Sequence, residues 1–137
     1  MKKLKGIITA LAFCMLVTSA TAFAANTDFT FSLTNTNSKE ASTGSPSKKS
    51  TDGDTYAYVT PKASSSNLAI AGASVNVRVR DNAGNYATEL IGKITSYEKY
   101  KVAYLPGKAV GGADYRLYAN VHSTNTYPVK LGGVWCP

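Results

Sequence analysis

Apolar and polar residues alternate most clearly over residues 74–80, which read SVNVRVR. Every second position is a valine: Val75, Val77 and Val79. Because successive side chains of an extended chain point to opposite faces, this pattern predicts a half-buried β-strand. A helix would scatter the same valines around its circumference. Residues 81–85 follow with the composition of a tight turn, and the chain is expected to return as a strand over residues 86–91.

The same period of two recurs along the rest of the chain. Further strands are predicted at residues 28–34, 54–60, 99–104, 115–122 and 129–135, with a short strand or bulge at 93–97. The last strand is expected to be interrupted by Gly132 and Gly133, because glycine weakens a strand interior. Pro61 is expected to end the strand over residues 54–60.

Residues 35–53 break the alternation with a run of Asn, Ser, Thr, Lys, Gly and Pro. Such a stretch buries too little apolar surface to offset the entropy lost on ordering, so we expect a long mobile loop. About seven or eight short strands, without a helical period beyond residue 24, predict an all-β fold. An antiparallel β-sandwich is the expected architecture, since parallel strands would need intervening helices, and a small β-barrel is the alternative.

The first 24 residues have the features of a signal peptide. Three lysines precede an apolar run over residues 7–17, and the small residues Ala22 and Ala24 fit a cleavage site after Ala24. The apolar run is too short to span a bilayer comfortably, so no membrane anchor is expected after cleavage. Lipidation at Cys14 is not expected, because bulky Phe13 precedes it. We therefore expect a secreted protein with one mature domain, either released from the cell or associated with the cell envelope.

That mature domain is expected to begin with a first strand and a polar loop over residues 25–53, and residues 54–137 form its main body. It keeps twelve lysines and arginines against eight acidic residues, a net charge of +4. Mild basicity suits work near anionic wall polymers or lipid surfaces. The charges are dispersed, so no nucleic-acid partner is expected. Cys136 is the only cysteine after the leader, which excludes an internal disulfide and leaves an intermolecular thiol as a possibility.

Tyrosine is the most distinctive residue type, with nine in the chain. Its apolar ring and polar tip suit a binding face for sugars or proteins, whereas cross-strand packing is the simpler use. Tyr118 is expected to point away from Tyr115. The candidate binding residues are expected to share one sheet face that bears tyrosines and basic residues. They are Tyr56, Tyr58, Arg78, Arg80, Lys99, Tyr100, Lys101 and Tyr104.

Other chemistry-bearing residues favour structural interpretations. Asp52 and Asp54, like Asp81 with its asparagines, could offer oxygens to calcium, but these residues also populate ordinary turns, so no metal or cofactor is expected. The single histidine, His122, is expected on a solvated strand face, without the partners of a hydrolytic triad. Trp135 is expected to close one end of the core, with ligand stacking as the alternative.

Several short segments also resemble a family of small secreted proteins from Gram-positive bacteria that carry a domain of unknown function. The segments are Tyr56–Val59, Val75–Tyr86, Tyr104–Pro106, Tyr115–Leu117 and Gly133–Pro137, which together span roughly residues 54–137. Members of that family end in Gly-Val-Trp-Ser-Pro, and Cys136 stands here in place of the serine. The resemblance implies secretion and an all-β fold, and it implies no catalytic mechanism.

Taken together, these features predict a secreted, non-enzymatic protein that binds at the bacterial envelope or cell surface. Its partner would be a cell-wall polymer or another cell-surface protein, recognised through tyrosines and dispersed positive charge. A bacteriocin-like effector that acts on other bacteria is the alternative. A secreted enzyme would need a buried cluster around His122 or a pair of carboxylates.

Overall fold

The computed structural model describes residues 26–33, 41–68, 74–121 and 128–137. The predicted leader and His122 lie outside the described residues. The elements described in full are strands and one 3₁₀ turn at Ala63–Ser65. The strands are β1 Thr27–Leu33, β2 Ala41–Ser42, β3 Ser47–Lys48, β4 Tyr56–Pro61, β5 Val75–Asp81, β6 Ile91–Ile94, β7 Tyr100–Ala103, β8 Asp114–Val121 and β9 Val129–Cys136.

These strands form two antiparallel sheets. Sheet A has the order β1-β9-β4-β7, and sheet B has the order β2-β8-β5-β6 with β3 also paired to β8. The first strand lies against the last one along its whole length, from Thr27 opposite Trp135 to Leu33 opposite Val129. The two sheets pack against each other, which confirms the predicted all-β antiparallel sandwich. They form two separate ladders, unlike the single closed sheet of the barrel alternative.

Strand alternation builds one core between the sheets. Sheet A turns Phe31, Val59 and Trp135 inward, and sheet B turns Val77 and Leu117 toward them. All five side chains are at most 2% exposed. Each fully buried side chain of this size contributes about 1.5–3 kcal/mol relative to an exposed one. Because the inner faces share one core, the outer faces of the two sheets point in opposite directions.

The predicted hairpin forms, but its second arm differs from the prediction. The chain returns to β5 at Tyr86, which bridges Arg80. The backbone N–H groups of Ala87 and Thr88 then both donate to the Val79 carbonyl, and the Thr88 hydroxyl accepts from the Val79 N–H. This bulge turns the chain away, and Thr88 bridges Tyr104 beside sheet A. Strand pairing with β5 resumes only in β6, with a register shift between Val75 and Val77, so the expected strand over 86–91 is not continuous.

The expected long loop over residues 35–53 is also different where it is described. Residues 41–53 follow the edge of β8 through β2 and β3. Between them and beyond them, the backbone N–H groups of Thr43 and Lys49 donate to carbonyls of β8 and of the segment before it. Ser47, Lys49 and Ser50 are buried. The loop was predicted because this stretch has few apolar side chains. Pairing at a sheet edge uses backbone N–H and C=O groups instead, so it does not require apolar side chains.

The last strand is continuous through Gly132 and Gly133, contrary to the expected interruption. A Cβ atom on Gly133 would lie 2.2 Å from the Thr60 carbonyl oxygen and 2.8 Å from Pro61 Cα. One on Gly132 would lie 2.7 Å from Ser65 Oγ in the 3₁₀ turn. The glycines therefore permit β4 and the turn after it to approach β9 more closely than any side chain would allow.

We predict that Gly133→Ala destabilises the fold by about 3 kcal/mol or more, because the added methyl group collides with backbone atoms that cannot rotate away. Urea unfolding of the purified variant measures the loss. Gly92→Ala is the matched control, since its nearest atom, Asn76 Oδ1, would lie at an ordinary 3.7 Å. Equal stability of the two variants would contradict the close approach at Gly133.

Lys49 is an unusual member of the interior. Its side chain is 1% exposed, and its Nζ atom lies 5.2 Å from the centroid of the Tyr104 ring. Among the described residues, this ammonium group has no hydrogen-bond partner. Attraction to the ring face offsets only part of the cost of removing the charge from water. The buried charge is therefore expected to lower the stability of the fold.

We predict that Lys49→Met raises the free energy of unfolding by about 1 kcal/mol, because the thioether fills the same space without an unpaired charge. Chemical denaturation at neutral pH measures the change. Lys130→Met, at an exposed position, serves as the control and should leave stability nearly unchanged. Destabilisation by Lys49→Met would show that the ammonium group has a stabilising role.

Candidate binding faces

The outer face of sheet B collects all three arginines of the chain. Arg78 and Arg80 alternate with the buried valines of β5, and Arg116 alternates with Tyr115 and Leu117 of β8. The register places Arg80 opposite Arg116 and Arg78 opposite Tyr118. The same alternation that buries the valines therefore presents every guanidinium group on one surface.

Two tyrosine rings lie against Arg78 and Arg80. The Tyr86 ring centroid is 4.0 Å from Cζ of Arg78 and 4.6 Å from Cζ of Arg80. Cζ of Arg80 is also 4.7 Å from the centroid of Tyr118, so Arg80 contacts both rings. We call this surface the arginine–tyrosine face, and its members are Arg78, Arg80, Arg116, Tyr86 and Tyr118.

Among the described residues, the acidic side chains that form ion pairs do so with lysines and leave Arg78 and Arg116 without a carboxylate. The ion pairs of the described residues use lysines, such as Lys48 with Asp114 at 3.4 Å and Lys108 with Asp81 at 3.6 Å. Neither Arg78 nor Arg116 is paired with a carboxylate in this part of the chain. The Nε atom of each is buried and has no hydrogen-bond partner there, so the terminal nitrogens are the donors that a ligand would reach. Ring stacking orients the guanidinium groups without consuming their hydrogen-bond donors.

The outer face of sheet A carries a second set of cations and rings. Tyr56 and Tyr58 alternate with the buried residues of β4. Lys101 Nζ lies 3.7 Å from the Tyr56 ring centroid, and Lys99 Nζ lies 4.2 Å from that of Tyr58. The lysine–tyrosine face consists of these four residues. The Tyr58 hydroxyl donates to Asp54 at 3.0 Å, which raises the pKa of Tyr58 and fixes its ring.

A depression of about 280 Å³ lies beside Tyr58 on this surface, with walls from Thr60, Lys99, Val134 and Cys136. Tyr58 is directly opposite Cys136 in the ladder between β4 and β9. Burial is the main cause that raises the pKa of the half-buried Cys136 thiol. A raised pKa lowers the thiolate fraction and hence the reactivity of the group. The predicted intermolecular role of Cys136 stays a prediction.

The structure separates the residues that the sequence assigned to one surface. Tyr56, Tyr58, Lys99 and Lys101 lie on the outer face of sheet A, opposite in direction to the arginine–tyrosine face. The prediction of a single face was therefore wrong. The physical reason is that β4 and β7 belong to one sheet and β5 to the other, which alternation within each strand does not reveal.

Tyr100 and Tyr104 also differ from the prediction, because both turn toward the interior. Tyr100 is opposite Val59 in the ladder, and its hydroxyl accepts from the Ser96 N–H at 3.3 Å. Tyr104 is 8% exposed, and burial is the main cause that raises its pKa. Its ring packs edge-on against Tyr115 at 5.2 Å. Tyr100 and Tyr104 support the core, while the lysines beside Tyr100 face solvent.

Three members of the arginine–tyrosine face were not among the predicted site residues: Arg116, Tyr86 and Tyr118. Tyr118 does point away from buried Tyr115, as expected from alternation in β8. That alternation also placed Arg116 on the outer side, so the signal for both residues was present. Their position beside Arg78 and Arg80 depends on the pairing of β5 with β8, which is a long-range contact.

The acidic residues of the two candidate calcium stretches accept hydrogen bonds from backbone N–H groups nearby in the chain. Asp81 Oδ1 accepts from the N–H groups of Ala83 and Asn85, at 3.1 Å and 2.8 Å. Asp52 accepts from the Asp54 N–H at 2.9 Å, and Asp54 accepts from the Tyr56 N–H at 3.0 Å. In the ranges that the structure describes, no group of three or more His, Cys, Asp or Glu side chains is placed to hold a metal ion.

The two remaining candidates have different outcomes. Trp135 is 1% exposed on the inner side of β9, so it packs in the core as expected and does not present its ring for stacking on a ligand. His122 lies outside the described residues, as does any catalytic cluster built on it. The enzymatic interpretation therefore stays untested.

Comparison with protein-family models, curated proteins and solved structures finds no match to the chain. The resemblance to small secreted proteins of Gram-positive bacteria stays a prediction. In the described ranges, no helix is long and apolar enough to cross a membrane. Fold alone does not assign a function, because β-sandwiches support many activities. The two faces are therefore the features that carry a functional proposal.

The hydrogen bonds of Asp81 predict a pH dependence of stability. Burial would raise the pKa of this carboxyl group, but hydrogen bonds from Asn85 and Ala83 and the charge of Lys108 together lower it. A lowered folded-state pKa means that ionised Asp81 stabilises the fold above its unfolded pKa of about 3.9, and that this contribution is lost as pH falls through the folded pKa.

We therefore predict that Asp81→Asn destabilises the protein at about pH 7 and has a much smaller effect at about pH 2.5. Urea unfolding of both proteins at the two pH values measures the difference. Asn82→Ala changes an exposed, uncharged side chain of the same turn, so its effect should not depend on pH. A pH-independent effect of Asp81→Asn would contradict the assigned role of the charge.

Proposed function

We propose that this protein is a binding protein that attaches to phosphodiester-linked anionic polymers of a bacterial envelope through the arginine–tyrosine face. The observation that carries the proposal is the gathering of all three arginines on one sheet face. Arg78 and Arg116 lack carboxylate partners among the described residues, and the Tyr86 ring lies against both Arg78 and Arg80. Such a surface complements a ligand that supplies negative charge.

Arginine chemistry favours phosphate as the recognised group. A guanidinium group donates two parallel hydrogen bonds to phosphate oxygens, and it remains charged at all physiological pH values. The rings of Tyr86 and Tyr118 restrain the arginines and add apolar area for the carbon backbone of a polyol or sugar. Because β5 and β8 pair along seven positions, the face is held on a rigid support. This reduces the entropy lost on binding.

The leader and the charge balance support a position outside the cell membrane. Residues 1–24 have the features of a signal peptide, and the chain after them carries a net charge of +4. Anionic wall polymers would be the most abundant partner of matching charge for a protein exported from a Gram-positive cell. The proposal assigns binding and no catalytic step to the arginine–tyrosine face.

The test uses insoluble walls of a Gram-positive bacterium and the purified protein. The same walls, extracted with cold trichloroacetic acid to remove phosphodiester-linked polymers, provide the matched surface without the ligand. We expect retention on intact walls, persistence of part of that retention as salt is raised, and little retention on extracted walls. Equal retention on both surfaces would contradict the proposed ligand. No retention on either would contradict wall binding and favour the effector alternative.

We predict that Arg78→Gln combined with Arg116→Gln weakens wall binding by roughly ten- to a hundredfold, because each arginine donates charge-assisted hydrogen bonds. Sedimentation of the protein with walls measures the apparent dissociation constant. Lys62→Gln combined with Lys130→Gln removes the same amount of positive charge outside the arginine–tyrosine face. This control should change the apparent dissociation constant by less than about threefold. Unchanged unfolding midpoints establish that all variants are folded. An equal loss of wall affinity in the two double variants would show that the interaction is non-specific charge attraction.

A further inference from the structure

The lysine–tyrosine face has the same design as the arginine–tyrosine face but points in the opposite direction. Each surface holds cations over tyrosine rings, at distances from 3.7 Å for Lys101 to 4.7 Å for Arg80. One core separates the two surfaces, since both sheets contribute their inner side chains to it. Two similar surfaces on opposite sides of one molecule indicate two binding events.

We propose that the protein is bivalent: the lysine–tyrosine face binds a second chain of anionic polymer while the arginine–tyrosine face holds the first, so that one molecule links two chains. This inference rests on the proposed function. It assigns to Tyr56, Tyr58, Lys99 and Lys101 a separate site from the one formed by the arginines. The occupant of both sites is a phosphodiester-linked polymer.

The charges of sheet A support an anionic occupant. Lys99 and Lys101 are exposed and form no ion pair in the described ranges. The nearby carboxylates already have partners, since Asp54 accepts from the Tyr58 hydroxyl and Asp28 lies 3.6 Å from Lys62 Nζ. Lys99 and Lys101 are therefore held against the rings by contacts that do not neutralise their charge. A ligand reaching this face therefore meets positive charge at the tyrosines.

The geometry of a sandwich keeps the two sites apart. Face-to-face sheets pack about 10 Å apart, and outward side chains add further thickness on each side. A polymer segment bound along one outer face cannot contact the other face unless it bends around a sheet edge. Two separate segments therefore fit the sites without that deformation. Multivalent attachment of this kind also strengthens retention on a polymer network.

A capture experiment tests this arrangement. Walls are saturated with purified protein and washed, and fluorescein-labelled poly(glycerol phosphate) is then added. We expect the coated walls to capture labelled polymer well above uncoated walls. The variant Lys99→Gln combined with Lys101→Gln should still be retained on intact walls, because the arginine–tyrosine face is intact. The amount of polymer captured per wall-bound molecule should fall about tenfold.

Lys62→Gln combined with Lys130→Gln again provides the matched control, because it removes two lysines of the same side of the molecule that do not stack on these rings. It should capture polymer as the unmodified protein does. Unreduced capture by the Lys99 and Lys101 variant would overturn the second site.

The outcomes separate this inference from the proposed function. Unmodified protein that binds walls but captures no added polymer has one functional face, which overturns bivalency and leaves wall binding intact. Protein that does not bind walls overturns both proposals. Capture that depends on Lys99 and Lys101, with wall binding retained, supports both.

Discussion

The pairing of β1 with β9 is the constraint on which the sandwich depends. It joins the two ends of the described chain through seven residue pairs and places β9 between β1 and β4. Closing so long a loop costs conformational entropy before the contacts form. Gly133 makes the pairing of β9 with β4 possible, because a side chain at this position would collide with the β4 backbone. The four strands of sheet A are therefore joined only when β9 pairs with both β1 and β4.

Alternation in the sequence predicted most strands and the sandwich, because burial of every second side chain is a local property of each strand. It did not predict the course of residues 41–53, where polar residues join an edge through their backbone groups. It also missed the bulge at Thr88, because the hydroxyl group that replaces a backbone partner has no periodic signature. Both differences arise where hydrogen bonds, rather than apolar burial, determine the path of the chain.

The candidate site was predictable in composition but not in arrangement. The sequence indicated that tyrosines and basic residues share strand faces, and Arg78, Arg80, Lys99 and Lys101 do lie outward. It could not show that Tyr100 turns inward beside Val59, because lysines and tyrosines both alternate in β7 and tertiary packing decides between them. Nor could it show that the basic residues divide between two sheets, since that division follows from strand order.

Tyrosine rings contact cations both on the two outer faces and in the interior, because the chain has fewer carboxylates than cations. Lysines and arginines outnumber acidic residues by fifteen to eight, so acidic partners cannot satisfy every cation. Tyrosine rings take their place: Tyr86 for Arg78, Tyr56 for Lys101 and Tyr104 for buried Lys49. A ring orients a cation without neutralising it, at about 0.5–1 kcal/mol for an exposed pair. On the surface, cations that form no ion pair among the described residues, such as Arg78 and Lys101, thus remain available to a ligand.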